Sequence, residues 1–377
     1  MGLACEGLSK RRQRRLFPEI TGPSLFLQRG MVSDDTEHAC MVAQALIASA
    51  GEVDAFTRSL ARQLRVWLAL LPAGVGFATL RAVVKLWLGC APTRSGVFSA
   101  GNGPAMRSPL LGVCFGHDAQ RLGDLVRAST RLTHTDPKAE YGALAAALAA
   151  SMASRAPGAR VTGTEYIREL RRLLPADARE LLELAARAVD SVAERRSTEA
   201  FAEAIGGGRG VSGYIYQTVP VVVHAWLAHQ GDYRAAITAA VRCGGDTDTV
   251  AATLGGIVGA GLGAAGLPAD WLARLWEWPR TVTWISGLGE RLAEVVADGV
   301  RREPLGLPVA GLLARNGLFL MVVLAHGFRR LLEMLLARLK ESDGLARLWT
   351  RDLLSEREPN QVLRALMGLS RLERQAG

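Results

Sequence analysis

The 377-residue chain is 49% hydrophobic and 21% charged, ordinary globular values that exclude a disordered or collagen-like chain. The net charge of +9 lies at the ends: residues 1–30 carry +4, residues 301–377 carry +5 and residues 31–300 carry none. Only Lys10, Lys85, Lys138 and Lys340 among the 45 basic residues are lysines, a compositional bias rather than a binding surface, so no nucleic-acid partner is expected. Cys5, Cys40, Cys90, Cys114 and Cys243 are scattered without a C-x-x-C pair, which argues against a disulfide scaffold or a zinc ribbon. They fit a reducing compartment, and a cytoplasmic location is the expectation.

The basic run Lys10–Arg15 is followed by no apolar segment of signal-peptide type. Apolar residues at helical spacing then begin at Glu37 and run to Gly51, with Ser33, Asp34 and Asp35 ahead of them as cap candidates. Further helices are predicted over 52–71, 76–90, 103–113, 118–131, 138–154, 163–174, 177–204, 213–229, 232–242, 249–264, 269–276 and 286–298. Pro72, Pro92, Pro137, Pro157, Pro175, Pro268 and Pro279 punctuate them, and Pro104 and Pro220 fall near segment starts. Strand-like alternation is scarce, so the expected fold is all-α, with a dozen or more helices. A shift of charge and pattern near Arg301–Pro304 sets off a helical domain, 1–300, from a basic and apolar C-terminal helical extension, 301–377.

Two stretches resemble membrane spans. Val250–Ala269 is uncharged and long enough, but it holds six glycines and follows Asp246 and Asp248, which favours a buried core helix. Leu318–Ala325 is strongly apolar but short, and Arg315, His326, Arg329 and Arg330 bracket it. It reads as a face that covers this domain or a second subunit, with an interfacial membrane helix as the other reading. No transmembrane segment is expected.

The chemistry-bearing residues fall in clusters. Ser33-Asp34-Asp35-Thr36 sets two carboxylates between hydroxyls at a helix start. Such oxygens suit a hard divalent cation, but alone the cluster reads first as an N-cap. Gly244-Gly245-Asp246-Thr247-Asp248-Thr249 repeats the pattern. Asp246 and Asp248 can face one point only if the backbone there is not yet helical, which the two glycines permit. Gly255, Gly259 and Gly263 downstream predict a smooth helix-packing face. Neither cluster contains histidine, which disfavours zinc. Ser99-Ala100-Gly101-Asn102-Gly103-Pro104-Ala105-Met106-Arg107 leads small residues into a helix, a turn whose N–H groups can cradle phosphate. Thr133-His134-Thr135-Asp136 reads first as a surface or helix-end segment rather than a ligand, and the glycine-rich 206–214 segment, ending in Tyr214, suits a ligand loop or a plain linker.

In this order and spacing, [ST]-D-D-[ST], G-N-G-x-A-M-R, T-H and G-G-D-[TS]-D-[TS] over about residues 2–300, the chain resembles the ADP-ribosylglycohydrolase family, which includes the dinitrogenase reductase-activating glycohydrolase. The resemblance implies a compact all-α domain with two Mg²⁺ or Mn²⁺ at the base of an ADP-ribose cleft. It implies Ser33, Asp34, Asp35, Asp246, Asp248 and Thr249 as metal ligands, with Asp248 shared between the ions. Ser99, Ala100, Gly101, Asn102 and Gly103 would hold the phosphates and the distal ribose, His134 would line the cleft, and Tyr214 would lie near the adenine. Glu6, Asp34 and Asp35 would act at the scissile bond, with Glu6 as the proton-handling carboxylate.

The family's opening helix, G-x-x-x-G-D-A-x-G-x-x-x-E, is matched only by its close, Gly2-Leu3-Ala4-Cys5-Glu6. Two expectations follow: a truncated gene model with an upstream start, or a short form. The implied activity is hydrolysis of the N- or O-glycosidic bond between ADP-ribose and an acceptor side chain or small molecule. The alternatives are a catalytically impaired ADP-ribose-binding homologue, a hydrolase of another ribosyl or phosphoester substrate, and a structural role. Residues 301–377 are expected to form a homo-oligomer contact or to dock on the core or a partner.

Overall fold

Helical spacing of apolar residues, with prolines and capping residues between the runs, builds the chain almost entirely from helices. The computed structural model describes residues 1–25, 28–155 and 160–328. In chain order the helices are α1 (Lys10–Leu16), α2 (Asp34–Ser49), α3 (Val53–Ala69), α4 (Phe77–Trp87), α5 (Gly103–Phe115), α6 (Ala119–Arg131), α7 (Pro137–Arg155) and α8 (Gly163–Leu173). They continue with α9 (Arg179–Ala193), α10 (Thr198–Ala204), α11 (Ile215–Ala228), α12 (Tyr233–Arg242), α13 (Thr247–Leu262), α14 (Ala269–Ala273), α15 (Val282–Asp298) and α16 (Val309–Phe328). Only isolated β-bridges occur among the described residues, and the fold is all-α. The chain divides into two compact units, Met1–Leu320 and Met321–Gly377.

An inner set of helices, α2, α5, α7, α11 and α13, packs together, with α3, α6, α9, α12 and α15 against it. Small residues make the closest of these contacts. Helix α7 buries eight alanines, Ala139, Ala143, Ala145, Ala146, Ala147, Ala149, Ala150 and Ala153. A Cβ at Gly112 of α5 would overlap the Ala147 carbonyl, so the two axes approach as they do only because position 112 is glycine. Buried Trp226, Tyr166 and Phe56 fill the wider gaps. The expected 255/259/263 face is only partly used. Gly255 makes room for Tyr233 of α12, but Gly263 ends α13 at φ 67° and meets nothing. Gly256 and Gly261, outside that row, face Pro109 of α5 and Ala153 of α7.

Side chains close many helix starts: Glu52, Asp118, Ser197, Asp232 and Thr281 each accept a first-turn N–H, and Thr162 with Glu165 forms a reciprocal capping box. These caps explain two departures from the predicted elements. The 177–204 run is split, because Arg195 turns left-handed (φ 56°) and Ser197 caps a new helix. Helix α15 starts at Val282, where Thr281 caps it, rather than at 286. Pro220 lies inside α11 rather than at its start. Helix α1 and the full extent of α16 were not expected.

The run Leu318–Ala325 is part of α16, which at 20 residues is the one described helix long and apolar enough to cross a membrane by length and composition. The expectation that the segment is too short reflects Arg315, which ends the apolar run in the sequence but not the helix. Arg315 and Asn316 are both buried. Pro157, Arg329 and Arg330 lie outside the described residues. Val250–Ala269 is chiefly the core helix α13, which stops at Leu262.

Candidate active site

The loops that precede α2, α5, α11 and α13 converge. Bridges pair Leu8 with Gly245, Val211 with Gly245, Gly101 with Tyr214 and Val97 with His134. The turn before α13 is the hub. Gly245 donates its N–H to the Leu8 carbonyl (2.8 Å) and accepts from Gly7 (2.8 Å), while Asp246 donates to the Val211 carbonyl (2.7 Å). Gly244 and Gly245 are both left-handed (φ 68° and 80°), and a Cβ at Gly245 would strike Val211. Asp246 itself has ψ 64° and is not helical, so it and Asp248, in the first turn, can serve one region.

One carboxylate oxygen from each of Asp34, Asp35 and Asp248 lies within 4.8 Å of the others. Neither helix-start cluster acts as a side-chain cap. Ser33 makes no cap bond and instead donates its Oγ to Asp35 Oδ2 (2.6 Å). Asp246 caps nothing with its side chain and accepts from Asn102 Nδ2 (2.8 Å). The reading of Ser33–Thr36 as a plain N-cap is therefore set aside.

Burial sets the electrostatics. It pushes the Asp35 carboxyl up to about 6 against the pull of hydrogen bonds from Ser33 and Thr249, and the charges of Asp246 and Glu6 add to the rise. Asp34 is held well above the usual carboxylate range by burial and then by Asp35, Glu37 and Glu6. Asp248 is raised well above it by burial and then by Asp35, Glu6, Asp246 and Asp34. The Oδ1 atoms of Asp35 and Asp248 are buried without a hydrogen-bond partner. Unpartnered, mutually repelling carboxylates of this kind call for protons or a cation. An all-oxygen donor set suits Mg²⁺ or Mn²⁺, so the residues fit a divalent metal.

Glu6 follows the short turn Gly2–Cys5, which lies across the start of α13, where Thr247 Oγ1 donates to the Gly2 carbonyl (2.8 Å). Its charge is felt by Asp34, Asp35 and Asp248, which places it beside the cluster.

Beside the carboxylates runs the 99–103 loop. Gly101 N–H is turned to Ser99 Oγ (3.3 Å), Ala100 carbonyl accepts from Ile215, and Asn102 N–H donates to the Gly213 carbonyl (2.9 Å). The His134 ring lies on this loop. A Cβ at Gly101 would come within 2.9 Å of His134 Nε2, and one at Gly103 within 3.2 Å of Cε1. Burial lowers the His134 pKa to about 3, helped by the Arg107 charge, so the ring is neutral. Tyr214 is joined to the loop through its backbone bridge with Gly101, and its hydroxyl accepts from Lys138 Nζ (2.9 Å).

Several contributors lie outside the predicted site residues. Arg107 ends the G-N-G-x-A-M-R run and is 1% exposed. It donates to Ser129 Oγ, the Ser129 carbonyl and Thr133 Oγ1, and its Nη1 lies 3.2 Å from His38 Nδ1. Thr218 of α11 accepts from Asn102 (2.9 Å). Gly74, between α3 and α4, approaches Asp34: a Cβ there would stand 3.6 Å from Oδ1.

The family model for ADP-ribosylglycohydrolase matches residues 1–301. An uncharacterized protein of Archaeoglobus fulgidus is 30% identical over 281 residues, covering 73% of this chain and 87% of that protein. The ADP-ribosyl-[dinitrogen reductase] glycohydrolase of Rhodospirillum rubrum is 27% identical over 269 residues, 70% of this chain and 80% of its own. A solved chain described as an ADP-ribosylglycohydrolase-related protein complex shares the fold, with TM-score 0.56 and 24% identity over 78% of this chain and 90% of that one. The likeness spans the convergent loops and the helices that carry them, and the chain belongs to the ADP-ribosylglycohydrolase family.

Proposed function

We propose that the chain is a metal-dependent hydrolase that cleaves the N- or O-glycosidic bond between ADP-ribose and an acceptor side chain. The observation that carries this reading is the meeting of Asp34, Asp35 and Asp248, two of them with unpartnered buried oxygens, beside the glycine loop on which His134 rests. The Rhodospirillum relative, named for removal of ADP-ribose from dinitrogen reductase, supports the reaction class.

Ser33, Asp34, Asp35, Asp246, Asp248 and Thr249 would hold two Mg²⁺ or Mn²⁺. Bound there, such ions supply Lewis-acid polarisation to the distal ribose. The chain's own groups do the rest. Residues 99–103 bind the diphosphate oxygens, and the His134 ring beneath them fixes the loop. Remote binding of this kind orients the reacting carbon. As the bond from C1″ breaks, positive charge grows on the sugar, and the carboxylates of Asp34 and Asp35 face it. Glu6 takes a proton from the attacking water or delivers one to the leaving group. Tyr214, at the far end of the loop, contacts the base.

The test is release of ADP-ribose from arginine- and serine-linked ADP-ribosyl peptides, with Mg²⁺ or Mn²⁺ and with chelator. Metal-dependent release establishes the hydrolase and its acceptor class. Binding of ADP-ribose without release from any peptide would replace this reading with that of a binding homologue.

A further inference from the structure

We infer that Arg315, on a helix that begins beyond the segment matched by the family model, is a positioning residue for the metal-ligand loop, and that Asn316 beside it holds the second loop that flanks Asp34. The inference rests on the metal reading of the Asp34–Asp35–Asp248 cluster given above.

Arg315 is 4% exposed and uses its whole guanidinium. Its Nε and Nη2 donate to Glu277 Oε1 and Oε2 (2.8 and 2.9 Å), and its Nη1 donates to Glu37 Oε1 (3.1 Å). Nη2 also donates to the Val32 carbonyl (2.6 Å). Glu277 in turn accepts the Val32 N–H (3.0 Å). Both polar groups of the Val32 backbone are thus held by one buried ion pair, immediately before Ser33 and Asp34. Glu37, one turn past Asp34 on α2, is held as well by Arg280 (2.8 Å) and by Trp67 Nε1 (2.6 Å). Asn316 Nδ2 donates to the Leu70 carbonyl (2.7 Å), at the root of the loop that brings Gly74 against Asp34.

Two features argue for positioning rather than stability alone. A buried ion pair is a poor source of net stability, because desolvation offsets its attraction. The contacts also go to the backbone of the ligand loop, the kind of outer-shell support whose loss costs about 10- to 100-fold in metal affinity. Two acids and two arginines balance in this network, so Glu277 and Arg315 can be removed together while Glu37 keeps Arg280.

The experiment compares Mn²⁺ affinity, read from the EPR signal of free Mn²⁺, with the thermal midpoint of the metal-free full chain. The variants are Arg315→Met, Glu277→Gln/Arg315→Met and Arg315→Lys. Leu170→Ala in the buried face of α8 serves as a general destabilisation control. Arg315→Met strands the Glu277 charge and is expected to melt early. The double variant is expected to regain most of the midpoint yet bind Mn²⁺ about 10- to 100-fold more weakly. Arg315→Lys keeps the charge but offers one ammonium where the guanidinium reaches Glu277, Glu37 and the Val32 carbonyl at once, and is expected to weaken Mn²⁺ in the same direction. Wild-type affinity in both the double variant and Arg315→Lys would overturn the inference and leave the metal reading standing. So would an equal loss of affinity in Leu170→Ala. Absence of Mn²⁺ binding by the wild-type chain would overturn both.

Discussion

Asn102 donates one amide hydrogen to Asp246 Oδ2 (2.8 Å) and the other to Thr218 Oγ1 (2.9 Å), so a single side chain joins the glycine loop to the start of α13 and to α11. The loop proposed to hold diphosphate and the cluster proposed to hold metal therefore share a side chain. Asn102→Ala leaves the half-buried Asp246 carboxylate and the buried Thr218 hydroxyl short of a partner. The expected cost is about 1–3 kcal/mol of stability. Both Mn²⁺ affinity and ADP-ribose affinity should fall. In a double-mutant cycle with Asp246→Asn the two changes should be non-additive, because the second removes what the first already lost. Strict additivity in calorimetric affinities would show that the two sites are independent.

Asp35 shows how the same burial that suits a cation strains the metal-free protein. Its folded-state pKa, about 6, lies above the ordinary value of 3.8. Between those values the folded chain binds more protons at this site than the unfolded chain. Stability therefore falls as pH rises from near 4 to about 6, and this contribution is flat above that. Asp35→Asn removes the slope. In chelator the variant should be more stable than wild type at pH 7, by up to about 3 kcal/mol, and the gap should close toward pH 4. With Mn²⁺ the order should reverse, since only the wild type gains ligand-linked stability. Differential scanning calorimetry over this pH range checks both limbs. A variant no more stable than wild type in chelator at pH 7 would remove the argument that the cluster is frustrated without metal.

The two hydroxy-acidic clusters were legible because each sets two carboxylates among hydroxyls at the start of an apolar helix. Their task was not legible. Ser33 and Asp246 are equally good caps and ligands by type, and only their bonds, to Asp35 and from Asn102, separate the two roles. The all-α class followed from spacing, but the break in 177–204 did not, because Arg195 carries no mark of a left-handed residue. Least visible was the support of the site. Glu37 meets Arg280 and Arg315 across 243 and 278 positions of sequence, and no local spacing links the three. The available hint was an Arg–Asn pair inside an otherwise apolar helix. Such a pair must be satisfied wherever that helix is buried.

His224 gives the acid limb of stability with the opposite sign. It is fully buried on α11, stacked on Phe201 at 4.9 Å, with Ser191 Oγ 3.2 Å from Nε2 and Thr198 Oγ1 3.1 Å from Nδ1. Burial, with the nearby His229, lowers its pKa to about 4. Above pH 6.5 the ring is neutral in both states and contributes no slope. Below it the unfolded chain takes up a proton that the folded chain refuses until about 4, so stability is lost over that interval. A shift of this size corresponds to about 3 kcal/mol. His224→Gln keeps polar atoms for Ser191 and Thr198 but does not titrate. The variant should be less stable than wild type at pH 7, through lost stacking, and should lose less on acidification to pH 4.5. Urea midpoints at the two pH values, taken for both proteins with Mn²⁺ absent, read this difference directly. The Asp35 contribution runs the other way over the same interval in both proteins and cancels in the comparison. Equal acid sensitivity of wild type and variant would mean that folding leaves the His224 pKa near its unfolded value.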